Sequence, residues 1–181
     1  MKKESLFFAV LALIFSSNSV FAQFPQSQMI AEWQRAKIYT KAYLDAMPED
    51  GYGFKPTPEI RSFAQQMLHL SDANYIFATV ASDKPNPIGE TLASHNINEK
   101  TASQTKEATI KAVMDSYDWV ISTLQNMTSD QLQETTKFGK HDNITRSGLF
   151  GKAFEHQTHQ RGQTTIYLHL KGVTPPAEVL F

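Results

Sequence analysis

Cysteine is absent from the 181-residue sequence, and this absence excludes several kinds of chemistry at once. Without thiols the chain has no disulfide bond, no thiolate metal ligand and no cysteine nucleophile. A cysteine-free chain is compatible with an oxidising compartment. An excess of positive charge is also missing, because 17 Lys and Arg residues stand against 18 Asp and Glu residues. The formal net charge of −1 gives no support to binding of nucleic acid or of an anionic membrane.

Long hydrophobic runs are confined to the first residues of the chain. Lys2 and Lys3 precede an unbroken apolar run over residues 6–15, which is about half the ~20 residues needed to cross a bilayer. The residues Val-Phe-Ala at 20–22 then suit cleavage by a signal peptidase. We therefore expect a signal peptide over 1–22 and a bacterial periplasmic or secreted protein. The alternative to a signal peptide is that residues 1–22 are retained as a membrane anchor. Residues 23–181 have a length that suits one domain.

Several well-known catalytic motifs are missing as well. The chain contains no Gly-x-Ser-x-Gly elbow, no His-Glu-x-x-His pair, no phosphate-binding loop and no dinucleotide fingerprint. The absence of these motifs favours a non-catalytic binding function over an enzyme.

Four stretches of the sequence have the three- and four-residue spacing of apolar side chains that is typical of amphipathic helices. They cover about 27–47, 59–80, 103–127 and 146–171, and a long polar connection over 82–102 separates the second from the third. No segment alternates convincingly with a period of two, so we expect no strands. Four amphipathic helices in one domain predict an all-α, up-and-down four-helix bundle.

The last predicted helix carries polar residues on a face that should be apolar. One face contains Leu149, Ala153, His156, Gln160, Gln163, Tyr167 and Leu170. Burying an imidazole and two amides costs several kcal/mol unless each group has a partner. The polar middle of this face therefore indicates a lined cavity, a bound ligand or a metal. Gly162, in mid-helix, favours close packing or access to such a site.

Histidines on two predicted helices suggest the metal alternative. His156 lies four residues from Gln160 and three from His159, so either pair could reach one ion. The best candidate for another ligand is His69, on the second helix. Neutral imidazole is a common ligand of zinc- and nickel-like ions. The other possibilities are that His69 is solvated or paired with Asp72, that His159 pairs with a glutamate one turn earlier, and that His156 is an interior, hydrogen-bonded histidine.

Three histidines receive no predicted function. They are His95 and His141, which we expect in loops, and His169, in the last turn of the last helix.

Taken in order along the chain, these blocks resemble the DinB-like family of four-helix bundles, which includes YfiT-like metalloproteins. The resemblance rests on a tryptophan-bearing first helix and on three stretches. These stretches are PTPEIRSFAQQMLHLSDANYIF, EHQTHQRGQ and the ending LHLKGVTPPAEVLF. It covers nearly all of residues 23–181.

The resemblance implies a divalent metal held by three histidines, one from the second helix and two from the last. His69 and His156 match two of these positions, but the third falls on Gln160, next to His159. Three outcomes follow: Gln160 coordinates through its amide oxygen, His159 substitutes for it, or the metal is lost and a polar cavity remains. Zinc or nickel is the expected ion in the first two.

Two functions are compatible with this pattern. The first is an exported metal-dependent enzyme, a hydrolase or a thiol-transferase-like protein, with Asp72 orienting His69 or acting as a base. The second is a non-catalytic bundle that binds a small molecule or serves a stress response without metal. We expect a small-molecule ligand or substrate, no nucleic acid and no membrane after signal removal, and a homodimer is compatible with a small bundle.

Overall fold

The computed structural model describes residues 25–89, 96–101 and 103–181. The predicted signal peptide over 1–22 and His95 lie outside these residues. The helices of the described part are α1 Gln26–Ala46, α2 Phe63–Ser82, α3 Ile97–Thr101, α4 Lys106–Gln125, α5 Ser129–Gln133 and α6 Arg146–Leu170, with a 3-10 turn at Glu49–Gly51. The long helices α1, α2, α4 and α6 confirm the predicted all-α bundle. None of the described helices is both long and apolar enough to cross a membrane.

Helix α2 begins later than the sequence predicted, because a capping box fixes its first turn. The Ser62 hydroxyl accepts a hydrogen bond from the Gln65 backbone N–H at 3.1 Å, and the Gln65 side chain accepts one from the Ser62 N–H at 2.9 Å. This reciprocal pair satisfies N–H groups that a helix start leaves without partners. The predicted start at 59 was therefore wrong by about one turn, and Ile60 lies outside the helix, 43% exposed.

The core lies between the four long helices, and α2 contacts both α4 and α6 extensively. Trp33 of α1 is 1% exposed and meets Tyr117 and Phe154 edge-on, with ring centroids 5.7 Å and 5.5 Å apart. Such edge-to-face pairs contribute beyond their area burial. The largest fully buried side chains also include Tyr52, Phe63, Phe150, Leu44, Met47, Met67, Leu68, Leu70, Leu124 and Leu149.

The prediction that the chain contains no strands was wrong. A short antiparallel hairpin, β1 Thr135–Phe138 and β2 His141–Thr145, connects α5 to α6, and His141 lies in β2 rather than in a loop. Its tight turn includes Gly139 at φ 59°, a backbone conformation that glycine adopts at little cost. The Phe138 ring stacks on Phe77 of α2, with centroids 4.7 Å apart. Strands of four and five residues are too short to show a clear alternation.

Only some residues of the α6 face that was predicted to be buried are buried in the structure. Leu149, Ala153 and Tyr167 are buried, but Leu170 is 57% exposed because it ends the helix beyond the core. A Cβ placed on Gly162 would meet nothing within 4 Å. The expectation that Gly162 permits close packing was therefore wrong.

Candidate functional site

His69 of α2 and His156 of α6 face each other, as the sequence predicted. Their ring centroids are 5.3 Å apart and the ring planes are inclined by 64°. Both side chains are half-buried. Phe77, two turns after His69 on α2, covers His156 with its centroid 6.1 Å from that ring. The two imidazoles therefore lie together at the edge of an apolar wall.

The far side of the His69 ring is held by residues from the connection that precedes α4. Its Nδ1 donates to the Asn96 side-chain oxygen at 3.2 Å and lies 3.4 Å from a Glu99 carboxylate oxygen. The other oxygen of Glu99 accepts from Arg61 Nε at 2.8 Å. Burial, and then the positive charge of Arg61, lower the pKa of His69. Coordination by His69 would therefore use Nε2, because the carboxylate and amide oxygens engage Nδ1.

The Asp72 carboxylate, which was predicted to orient His69 or to act as a base, is engaged by backbone N–H groups in the structure. Its two carboxylate oxygens accept hydrogen bonds from the backbone N–H groups of Asn98, at 2.9 Å, and Glu99, at 3.0 Å. Asp72 thus binds the start of the short helix α3 to α2, and burial raises its pKa to about 6. The residues that contact His69 Nδ1 are Asn96 and Glu99. The sequence analysis missed Glu99, because this residue lies in an aperiodic polar connection.

The two ring nitrogens of His156 have different surroundings. Nε2 lies 3.1 Å from the Gln160 amide nitrogen, which donates to it. Nδ1 is buried and has no hydrogen-bond partner in the structure as described. Burial, together with the charges of His69, His159 and Arg61, lowers the pKa of His156 to about 4. His156 is therefore a neutral imidazole at physiological pH.

Three glutamines form a hydrogen-bonded group, which we call the glutamine relay: Gln66 of α2 with Gln160 and Gln163 of α6. The Gln66 amide nitrogen donates to the side-chain oxygen of Gln160 and, at 2.7 Å, to that of Gln163. The amide nitrogens of Gln160 and Gln163 consequently point away from Gln66, toward His156 and His159. Gln160 is 7% exposed and lies beside the histidine pair, so the structure brings His69, His156 and Gln160 together.

His159 lies on the outer side of the relay. Its side chain is exposed, and its Nε2 accepts from the Gln163 amide nitrogen at 2.7 Å. The alternative that His159 pairs with Glu155 was wrong, because Glu155 pairs with Lys152 at 2.9 Å. Through this contact with Gln163, His159 forms the outer end of the hydrogen-bonded chain that the three glutamines begin.

A second polar cluster, which the sequence analysis missed, ties α6 to α1 and α4. Arg161 is 6% exposed and donates to Thr40 Oγ1 at 3.2 Å and to Gln157 Oε1 at 2.8 Å. Its guanidinium lies 4.4 Å from the centroid of the Tyr39 ring. The Tyr117 hydroxyl, fully buried, also donates to Gln157 at 2.8 Å. The spacing of Gln157 and Arg161, four residues apart on a helix, was the available signal.

The donor set fits a divalent metal with two imidazole ligands. The described residues contain no group of three His, Cys, Asp or Glu side chains placed to hold an ion. Among these residues, the amide of Gln160 lies beside His156. The fit rests on the two facing imidazoles and on the buried Nδ1 of His156 that lacks a partner. Amide oxygen is a harder and weaker ligand than imidazole for such ions.

A cleft lies elsewhere, between α1 and α6. It has a volume of about 480 Å³ and is lined by Gln28, Met29, Glu32, Trp33, Phe150, Gly151 and Phe154. The polar middle of α6 lines no part of this cleft.

Comparison with known proteins agrees with the fold. The curated protein YjoA of Bacillus subtilis, described as uncharacterized, is 22% identical over 153 residues, covering 82% of this chain and 92% of YjoA. A crystal structure of a DinB-like protein from Bacillus cereus superposes with a TM-score of 0.71 at 17% identity, covering 83% of this chain and 95% of that one. The structure of YjoA itself gives 0.64 at 19% identity, covering 85% and 96%.

These structural likenesses concern the fold. The sequence model of the DinB family matches residues 17–179, and on that match the chain belongs to the DinB family.

Proposed function

We propose that this DinB family member binds one divalent ion, zinc or nickel, through His69, His156 and Gln160, and acts as an exported metal-dependent hydrolase. The observation that carries the proposal is the approach of two imidazoles from different helices to 5.3 Å, one of them with a buried nitrogen that lacks a partner. That nitrogen is a metal ligand only when it carries no proton. Leaving a buried polar atom unsatisfied costs about 1–3 kcal/mol.

The surroundings of His69 support this assignment. A carboxylate that accepts from the second nitrogen of a ligating histidine fixes both its tautomer and its orientation. Glu99 and Asn96 stand in that relation to His69 Nδ1, and Arg61 holds the Glu99 carboxylate in place. The lowered pKa values of both histidines keep the rings neutral, as ligands must be.

The chemistry depends on residues of the chain as well as on the ion. A bound divalent ion supplies Lewis acidity, which polarises a carbonyl or phosphoryl group and lowers the pKa of water. Phe77 excludes water from one side of His156, and Arg61 adds positive charge near both imidazoles. Hydrolysis suits the predicted export better than thiol transfer does, because low-molecular-weight thiol cofactors are cytosolic.

A second candidate function is a metal-free module that binds a small molecule. One observation favours it: the Gln160 amide presents its nitrogen, not its oxygen, to His156. In that arrangement the glutamines satisfy one another, and the polar middle of α6 needs no ion.

Metal content separates the two functions. We would measure it by elemental mass spectrometry on protein that carries no histidine tag, and record thermal unfolding with and without a chelator. The metal proposal predicts about one equivalent of zinc or nickel and a lower Tm after chelation, since a ligand that binds only the folded state stabilises it. His156→Ala should abolish both effects, whereas His169→Ala, at an exposed position of the same helix, should leave them unchanged.

Two further variants identify the third ligand. Gln160→His should raise zinc affinity by orders of magnitude, because it restores the third imidazole that the family resemblance implies. His159→Ala should leave metal content unchanged if Gln160 is the ligand. A chelator-insensitive protein that binds no added zinc, and that Gln160→His does not rescue, would refute the metal function and favour the metal-free module.

A further inference from the structure

The direction of hydrogen bonding in the glutamine relay decides which nitrogen of His156 carries a proton. An amide nitrogen only donates, so the contact at 3.1 Å requires His156 Nε2 to accept from Gln160. A neutral imidazole that accepts at Nε2 carries its proton on Nδ1. In this direction neither nitrogen offers a lone pair to an ion: one is engaged by the amide and the other is protonated.

Gln66 sets this direction. The two hydrogens of its amide nitrogen donate to the oxygens of Gln160 and Gln163. Both amides of α6 must therefore turn their oxygens toward Gln66 and their nitrogens toward His156 and His159. No other described contact fixes the amide orientation of Gln160.

The opposite direction is equally consistent with the hydrogen-bonding rules. If Gln66 presents its oxygen, it accepts from the amide nitrogens of both Gln160 and Gln163. The Gln160 oxygen then faces His156, either as a ligand itself or as the acceptor of a proton on Nε2. In the second case the proton leaves Nδ1, and the lone pair of that buried nitrogen becomes available. The outer end changes too, because the Gln163 oxygen then needs an N–H at His159 Nε2.

We infer that Gln66 is a positioning residue that switches the His69–His156 pair between a direction that excludes a metal ion and one that accepts it. The inference rests on the proposed metal function. It also gives a reason for glutamine at position 160: a side chain that can both donate and accept makes metal binding conditional on the relay. His159 is then the outer end of the relay, and it does not coordinate the ion.

In the test, substitutions of Gln66 fix the direction of hydrogen bonding in the relay. The protonated nitrogen of His156 is then identified in the metal-free proteins. Gln66→Glu presents only oxygens to α6 when the carboxylate is ionised, which forces the reversed direction. Gln65→Glu is the matched control, since it adds the same charge one residue away and keeps the Ser62 capping box. Gln66→Met has a similar volume and removes the relay.

Two measurements report the result. Long-range ¹H–¹⁵N spectra of the metal-free proteins identify the protonated nitrogen of His156, and zinc titration calorimetry gives the affinity. We expect Nδ1–H in the wild type and in Gln65→Glu, Nε2–H in Gln66→Glu, and a mixture in Gln66→Met. Zinc should bind Gln66→Glu about tenfold or more tightly than Gln65→Glu, in the range found for groups that orient metal ligands.

Each other outcome has a definite meaning. An unchanged His156 tautomer in Gln66→Glu overturns the inference, and so does an equal gain of zinc affinity in Gln65→Glu, which would show an effect of charge alone. A switched tautomer without zinc binding in any variant supports the role of Gln66 and refutes the proposed metal function. The two proposals can therefore fail separately.

Discussion

Asp72 and His156 should change the free energy of unfolding in opposite directions over the same range of pH, and this gives a sharp test of the structure. Burial raises the pKa of Asp72 from 3.8 to about 6, and burial lowers the pKa of His156 from 6.5 to about 4. As pH rises from 4 to 6, the unfolded chain loses the Asp72 proton first, so the free energy of unfolding falls. As pH falls from 6.5 to 4, the unfolded chain binds a proton at the histidine first, and the free energy of unfolding also falls.

The two effects are of similar size. One pKa unit corresponds to about 1.4 kcal/mol, so each group contributes about 3 kcal/mol across the interval. In the wild-type protein the contributions nearly cancel between pH 4 and 6. Asp72→Asn removes the contribution that decreases stability as pH rises, and the free energy of unfolding should then increase by about 3 kcal/mol from pH 4 to 6.5. His156→Gln should show the reverse slope.

The assay is urea unfolding of the metal-free protein, followed by circular dichroism at several pH values from 4 to 7. Each substitution also removes contacts, and Asn cannot reproduce both carboxylate bonds to α3. That loss is independent of pH, so it shifts the curve without changing its slope. The double variant should regain the shallow wild-type slope from these groups. A single variant with the wild-type slope would refute the burial assigned to the substituted side chain.

Three other substitutions test the packing, each by urea unfolding. Gly162→Ala should stabilise the protein by about 1 kcal/mol, because the position is helical and exposed with open space for a methyl group; destabilisation would contradict this. Gly51→Ala should destabilise the protein by about 1–3 kcal/mol, since the new Cβ would lie 2.2 Å from the sulfur of the buried Met47. An unchanged free energy of unfolding would mean that the Met47 side chain moves aside freely. Tyr117→Phe should cost about 1–2 kcal/mol through its lost bond to Gln157; a neutral result would mean that the hydroxyl contributes nothing.

The long helices could be predicted because their residues repeat at the helical period over many turns. The hairpin could not, because strands of four and five residues are too short for a pattern to appear. The start of α2 was misplaced because apolar Ile60 continued the helical spacing, while the capping box at Ser62 stops it. Local hydrogen bonding overrode periodicity there.

Some residues of the candidate site could also be predicted from the sequence, and others could not. His69, His156 and Gln160 could be named as candidates because each is an unusual residue on a helical face. The role of Glu99 could not be predicted, because it depends on a contact with Arg61, 38 positions earlier in the chain. It also depends on the hydrogen bonds by which Asp72 holds α3 against α2. Gln66 stood next to the site in sequence, but only the three-dimensional packing of α2 on α6 shows that its amide binds two glutamines at once.

The hairpin ring Phe138 stacks on Phe77, and Phe77 in turn covers His156. Three rings on three different elements thus form a continuous row from the protein surface to the histidine pair. A substitution at Phe138 can therefore change the hydration of His156 without touching it. Among natural variants, differences in this hairpin would alter the site at a distance, and a survey of His69, His156 and Gln160 alone would overlook them.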